Sequence, residues 1–124
     1  MKISKSYLVK KDTKISEAIL LLQENTIKIL AVIDKTNTLV GTITDGDIRR
    51  GLIKGITIDN KCSDIMNKRP SFSLRSDTKK IQKIINEKKI ENPILVNAEK
   101  KVIGIYISDT LETIQRRDNQ IIIM

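Results

Sequence analysis

The stretch Thr44-Asp45-Gly46-Asp47-Ile48-Arg49-Arg50 gathers side chains able to hold an anion or a polyol. It follows the apolar run Leu39-Val40-Gly41-Thr42-Ile43. The chain passes there from strand to helix, and a helix start leaves backbone N–H groups unpaired. Those groups and the Thr44 hydroxyl suit phosphate oxygens. Asp47, three residues on, can accept two hydrogen bonds from a cis-diol while Thr44 faces the same cleft. Arg49 and Arg50 lie within the next turn, where at least one can reach a phosphate. The same residues admit a plainer reading, in which Thr44 and Asp47 only cap the helix.

Other candidate chemistry is thin. Asp45 and Asp47 lack a third ligand for a metal or a partner for catalysis. Cys62 is the single cysteine, so no internal disulfide forms, and it reads as a small buried hydrophobe. With no His, no Trp and 2% aromatics, a His-based triad, a His metal site and a base-stacking platform are excluded. Tyr7, Phe72 and Tyr106 are isolated and read as packing residues.

The elements that must position the 44–50 stretch come from a chain of 124 residues, room for one domain or two small halves sharing a core. Hydrophobic residues at 40% and charged residues at 31% are globular proportions. The net charge of +8 is spread over separate lysine pairs (10–11, 79–80, 88–89, 100–101), a solvated surface rather than a nucleic-acid footprint. No run approaches the roughly 18 apolar residues of a membrane span, and the N-terminus lacks a signal-peptide core. With the lone cysteine, this points to a cytoplasmic protein with neither nucleic-acid nor membrane partners.

Ile15, Ala18, Ile19 and Leu22 have helical spacing and predict a helix over 14–25. Residues 29–33 and 39–43 read as strands around a polar turn, and a helix of two to three turns follows Asp47. The order then repeats: a helix capped by Ser76-Asp77 with Ile81, Ile84 and Ile85 on its apolar face, strands at 94–96 and 101–105, and a helix over 108–117. Gly41 and Gly104 are 63 residues apart, whereas Asp12-Thr13-Lys14 and Asp77-Thr78-Lys79 are 65 apart. A two-residue deletion reconciles them. Residues 62–67 read as a short helix between the halves, and 70–74 as an extended segment.

This repeated unit, with Gly41-Thr42-Ile43-Thr44-Asp45-Gly46-Asp47-Ile48 at the junction of strand and helix, resembles a tandem CBS domain pair, the Bateman module. The resemblance implies an α/β fold of two β-α-β-β-α CBS repeats with pseudo-twofold symmetry, repeat one over 1–60 and repeat two over 61–117. It implies sheets packed face to face, helices outside, and a homodimer or larger assembly. The implied role is regulatory rather than enzymatic: an adenosine nucleotide (AMP, ADP or ATP, with no cofactor) binds and modulates an attached enzyme. By that resemblance Asp47 holds the ribose and Thr44 lies near the phosphate or ribose, with Arg49 or Arg50 on a phosphate. The base lies against backbone and aliphatic groups around Lys11, Asp12 and Thr13 and around Lys28, Ile29 and Leu30.

Repeat two departs from this pattern. Aligned on Gly104, Ile107 takes the Thr44 position and Thr110 the Asp47 position, while Asp109 points roughly 100° away on a helix start. At most one well-formed nucleotide site is expected. The rival expectation is a structural dimerisation scaffold that binds no nucleotide. At the chain end, 118–124 reads as a linker and an unpartnered strand, Ile121-Ile122-Ile123-Met124. It resembles the opening strand of sugar-phosphate nucleotidyltransferases, of the mannose-1-phosphate guanylyltransferase kind, and implies such a covalently attached catalytic domain.

Overall fold

Each half of the chain must bury a sheet face that its own helices do not cover, and the computed structural model shows how the halves solve this together. It describes residues 7–107 and 120–123. Repeat one comprises β1 (Leu8–Lys10), α1 (Ile15–Glu24), β2 (Ile29–Ile33), β3 (Leu39–Thr44) and α2 (Asp45–Ile53). A 3-10 turn at Cys62–Asp64 leads to β4 (Phe72–Leu74), α3 (Thr78–Lys88), β5 (Ile94–Val96), β6 (Val102–Ile107) and β7 (Gln120–Ile123). The helix expected over 108–117, with Asp109 and Thr110, lies outside the described residues.

The first sheet runs β1-β2-β3 and the second β4-β5-β6-β7. In each, the strands flanking the helix pair parallel and the hairpin strands antiparallel. The fold is the expected mixed α/β pair. The run 121–123, expected to stand unpartnered, instead pairs antiparallel to β6, with Ile122 opposite Ile105. The β6 edge supplies the backbone partners that an isolated strand lacks.

Alternation along the central strands divides the core into three layers. Leu30, Val32 and Ile43 pack with Ile15, Ala18, Leu22 and Ile48 between the first sheet and its helices. Ala31 and Leu39 meet Ile94, Val96 and Ile105 between the two sheets. Leu95 and Tyr106 turn the other way, onto Ile81 of α3. β2 and β5 are therefore apolar on both faces, because both faces are covered.

The two hairpins superimpose at an offset of 63. Val32 pairs Gly41 and Leu95 pairs Gly104, each followed by a register shift at the next residue. Asp34 Oδ1 accepts from the N–H groups of Thr36 and Thr38 at 2.9 and 3.0 Å. Asn97 Oδ1 does the same for Glu99 and Lys101 at 3.0 and 2.9 Å. Asn37 and Lys100 both take φ 66°, a conformation Asn tolerates and Lys seldom adopts. The turns also bond each other across the pseudo-twofold axis: Leu39 N–H donates to the Lys100 carbonyl at 3.0 Å and Val102 N–H to the Asn37 carbonyl at 3.2 Å.

The offset of 65 read from the Asp-Thr-Lys match does not hold at the helix starts. The N-caps are Lys14 and Asp77, again 63 apart. Asp77 caps α3 through its carboxylate, accepting from Lys80 N–H at 3.1 Å. α1 needs no such side chain, because the Asn60 and Ile58 carbonyls meet the N–H groups of Ile15 and Ser16, both at 2.9 Å.

Candidate functional site

At the end of the strands away from the hairpin turns, a cleft of about 800 Å³ opens between the repeats, a size that small-molecule sites commonly take. Its first lip is the β3–α2 junction. Thr44 and Asp47 form a reciprocal capping box. Asp47 Oδ2 accepts from the Thr44 N–H at 2.9 Å and from its hydroxyl at 3.1 Å, and Thr44 Oγ1 accepts from Asp47 N–H at 3.4 Å. Arg50 closes on Asp47 Oδ1 at 2.9 Å. The Asp47 side chain is 13% exposed and that of Arg50 66%, so the guanidinium is the part free to move aside for another donor.

Gly41 of the same motif serves the site at one remove. Residues 66–67 cross directly over it: Thr42 and Asn67 exchange backbone hydrogen bonds at 3.1 and 2.8 Å. A Cβ on Gly41 would lie 2.6 Å from Met66 Sδ and 2.9 Å from the Asn67 carbonyl oxygen. Only glycine admits this crossing, which brings Asn67 to the cleft wall.

The cleft straddles the pseudo-twofold axis. Thr26, Ile27, Lys28, Ile29 and Thr44 line one half, and at the offset of 63 Lys89, Ile90, Glu91, Asn92 and Ile107 line the other. Lys28 Nζ donates to the Leu22 carbonyl at 2.7 Å, at the C-terminal end of α1, where a cation is favoured. Asn92 Nδ2 donates to the Tyr106 carbonyl at 3.1 Å, which fixes that amide. Ile85 adds aliphatic wall. Such a cavity can hold a flat apolar group against isoleucines while Thr44, Asp47 and Arg50 meet a polar, anionic end.

Of the residues singled out in the sequence, Thr44, Asp47, Arg50, Lys28 and Ile29 line this cleft, and Arg49, Asp12 and Thr13 do not. Arg49 is exposed on α2. Asp12 sits 3.8 Å from Lys61, and the Thr13 carbonyl accepts from Cys62 N–H at 2.7 Å. These two are drawn to the segment linking the repeats. The second half of the wall, 89–92, was missed, although adding 63 to 26–29 would have found it. Burial, with a lesser push from Glu17, raises the Cys62 thiol to about 11, so it stays protonated at neutral pH. Among the described residues no acidic or Cys cluster could hold a metal ion, and no helix is long and apolar enough to cross a membrane.

Comparison with known proteins agrees with this architecture. Residues 3–54 match the CBS domain family. An uncharacterized protein, RP505, of Rickettsia prowazekii is 33% identical over 106 residues, 84% of this chain and 33% of that protein. The chain matches about a third of the length of such curated relatives. An uncharacterized conserved protein of known structure from Pyrococcus horikoshii is 29% identical, with TM-score 0.67 over 89% of this chain and 85% of its own. The crystal structure of CBSX2 in complex with AMP is 26% identical, with TM-score 0.67 over 79% and 80% of the two chains. The first repeat thus matches the CBS domain family, and the two repeats together have the fold of a CBS pair.

Proposed function

We propose that this chain is a regulatory module that binds one adenosine nucleotide in the cleft between its repeats and passes the binding energy to an attached enzyme. The observation that carries this is a single cleft shared by both repeats, with Thr44, Asp47 and Arg50 on one lip only. The AMP bound to CBSX2, a protein of the same fold, supports the ligand class. Asp47 carries three hydrogen bonds already, so a ribose diol takes its remaining lone pair or displaces Arg50.

The hairpin turns tie the repeats together at one end of the strands, and the cleft lies at the other, about 13 Å away along β2. A ligand that bridges the halves biases their relative orientation, by no more than its difference in affinity for the two orientations. In this reading the module is cytoplasmic, and its output domain is a sugar-1-phosphate nucleotidyltransferase.

Titration calorimetry with AMP, ADP, ATP and S-adenosylmethionine tests the proposal. One adenosine nucleotide binds with a stoichiometry near one, and Asp47→Ala weakens it by more than about tenfold. Thr44→Val keeps the shape, removes the hydroxyl and has a smaller effect in the same direction.

A second reading, a dimerisation scaffold that binds no nucleotide, is favoured by the engagement of Asp47 in capping and by exposed Leu20, Leu52 and Ile53 on the adjoining helices α1 and α2. It predicts silence with all four ligands. It also predicts a dimer by light scattering that Ile53→Lys returns to monomer.

A further inference from the structure

The cleft is repeated in its backbone but not in its charge. At the position pseudo-equivalent to Lys28 stands Glu91, and at that of Thr44 stands Ile107, with no hydroxyl. Asn92 commits Nδ2 to the Tyr106 carbonyl and so keeps Oδ1, an acceptor, as its second polar atom. Among the described charged groups at the cleft, Arg50 and Asp47 neutralise each other at 2.9 Å, which leaves Lys28 and Lys89 against Glu91. The first half can receive an anion. The second half presents a carboxylate to anything anionic that reaches across, with Lys89 as its one cation among the described residues.

Resting on the nucleotide reading above, we propose that Glu91 is a specificity-determining residue that restricts the cleft to ligands with a short anionic group, a nucleoside monophosphate ahead of its di- and triphosphate. A phosphate chain anchored at Arg50 extends, as it lengthens, toward the Glu91 side, and each further phosphate adds charge facing that carboxylate. Glu91 is solvent-exposed, so this repulsion is partly screened and fades as salt is added.

The test is competition among AMP, ADP and ATP in EDTA, at low and at physiological ionic strength, for the parent chain, Glu91→Gln and Glu91→Lys. At low salt AMP binds about tenfold tighter than ATP, with ADP between. Glu91→Gln narrows that ratio to about threefold while moving AMP less than about twofold, and Glu91→Lys reverses it. Glu91 lies in an exposed segment between α3 and β5, so both variants are expected to fold, and circular dichroism checks this. ATP binding as tightly as AMP, or a ratio that neither variant moves, overturns the role of Glu91 while the nucleotide reading survives. Failure of all three nucleotides to bind overturns the nucleotide reading, and this inference with it.

Discussion

The two repeats agree in their hairpins and differ in their cleft. The pairing of β2 with β3 recurs between β5 and β6 at an offset of 63, down to the position of the register shift and the side-chain clasp of the turn. In the cleft, the same offset sets Lys28 against Glu91, Ile29 against Asn92 and Thr44 against Ile107. A slip of one residue in either hairpin would turn its buried side chains to the wrong layer, so the core enforces the register. No such constraint acts on side chains at the open ends of the strands. The scaffold is therefore present twice and the binding lip, among the described residues, once.

The largest effect comes from breaking the layer that the repeats share. Ala31 and Ile94 are pseudo-equivalent, one small and one large, and both are fully buried between the sheets. Ile94→Ala should cost about 2–5 kcal/mol, read as a lower midpoint in a single urea transition. A loss below about 1 kcal/mol, or two separated transitions, would show that the repeats do not share a core. Ala31→Ile, which removes the size difference from the other side, should cost about 1–3 kcal/mol by overpacking.

Next in size is Gly41→Ala. The added methyl meets the Asn67 backbone oxygen as well as the movable Met66 side chain, so the crossing segment must shift. The expected loss is about 1–3 kcal/mol, together with weaker AMP binding because Asn67 belongs to the cleft wall. Unchanged stability and binding would mean that the 66–67 segment is not fixed by this contact.

Most of the fold was legible because its signals are local. Helical spacing in 15–22 and 81–85, apolar runs of strand length and polar turns between them placed the main elements. The capping box was legible too, since Thr44 and Asp47 stand three apart at a junction of strand and helix. What sequence reasoning missed depends on distant segments. α1 starts at Lys14 because carbonyls from 58 and 60 reach its N–H groups, and no local pattern shows that. Asp12 and Thr13 face the linking segment rather than the cleft for the same reason. The β6 edge receives 120–123 from far along the chain, so a strand that looked orphaned has a partner. The 89–92 wall was recoverable, but only by carrying the repeat offset through residues that match at one position, Ile27 and Ile90.

The smallest effect sharpens the comparison most finely, because the two turns hold the same geometry with different chemistry. The Asp34 carboxyl lies below the usual carboxylate range, chiefly through the Thr36 hydroxyl, then the N–H groups of Thr38 and Thr36. A carboxyl depressed by folding contributes stability that is fully present above its unfolded value, about 3.9, and is lost as pH falls through its lower folded value. Asn97 makes the equivalent backbone bonds and does not titrate in this range. Asp34→Asn should therefore leave the turn formed, and the stability of the parent relative to this variant should fall as pH drops from about 5 to below 3. Denaturant midpoints of the two chains across that range measure the difference. The reciprocal change, Asn97→Asp, should confer a weaker acid dependence on repeat two, because Glu99 stands where Thr36 supplies its hydroxyl. A parent-to-variant difference that stays constant with pH would show that the clasp works through shape alone in both repeats, with no contribution from the charge.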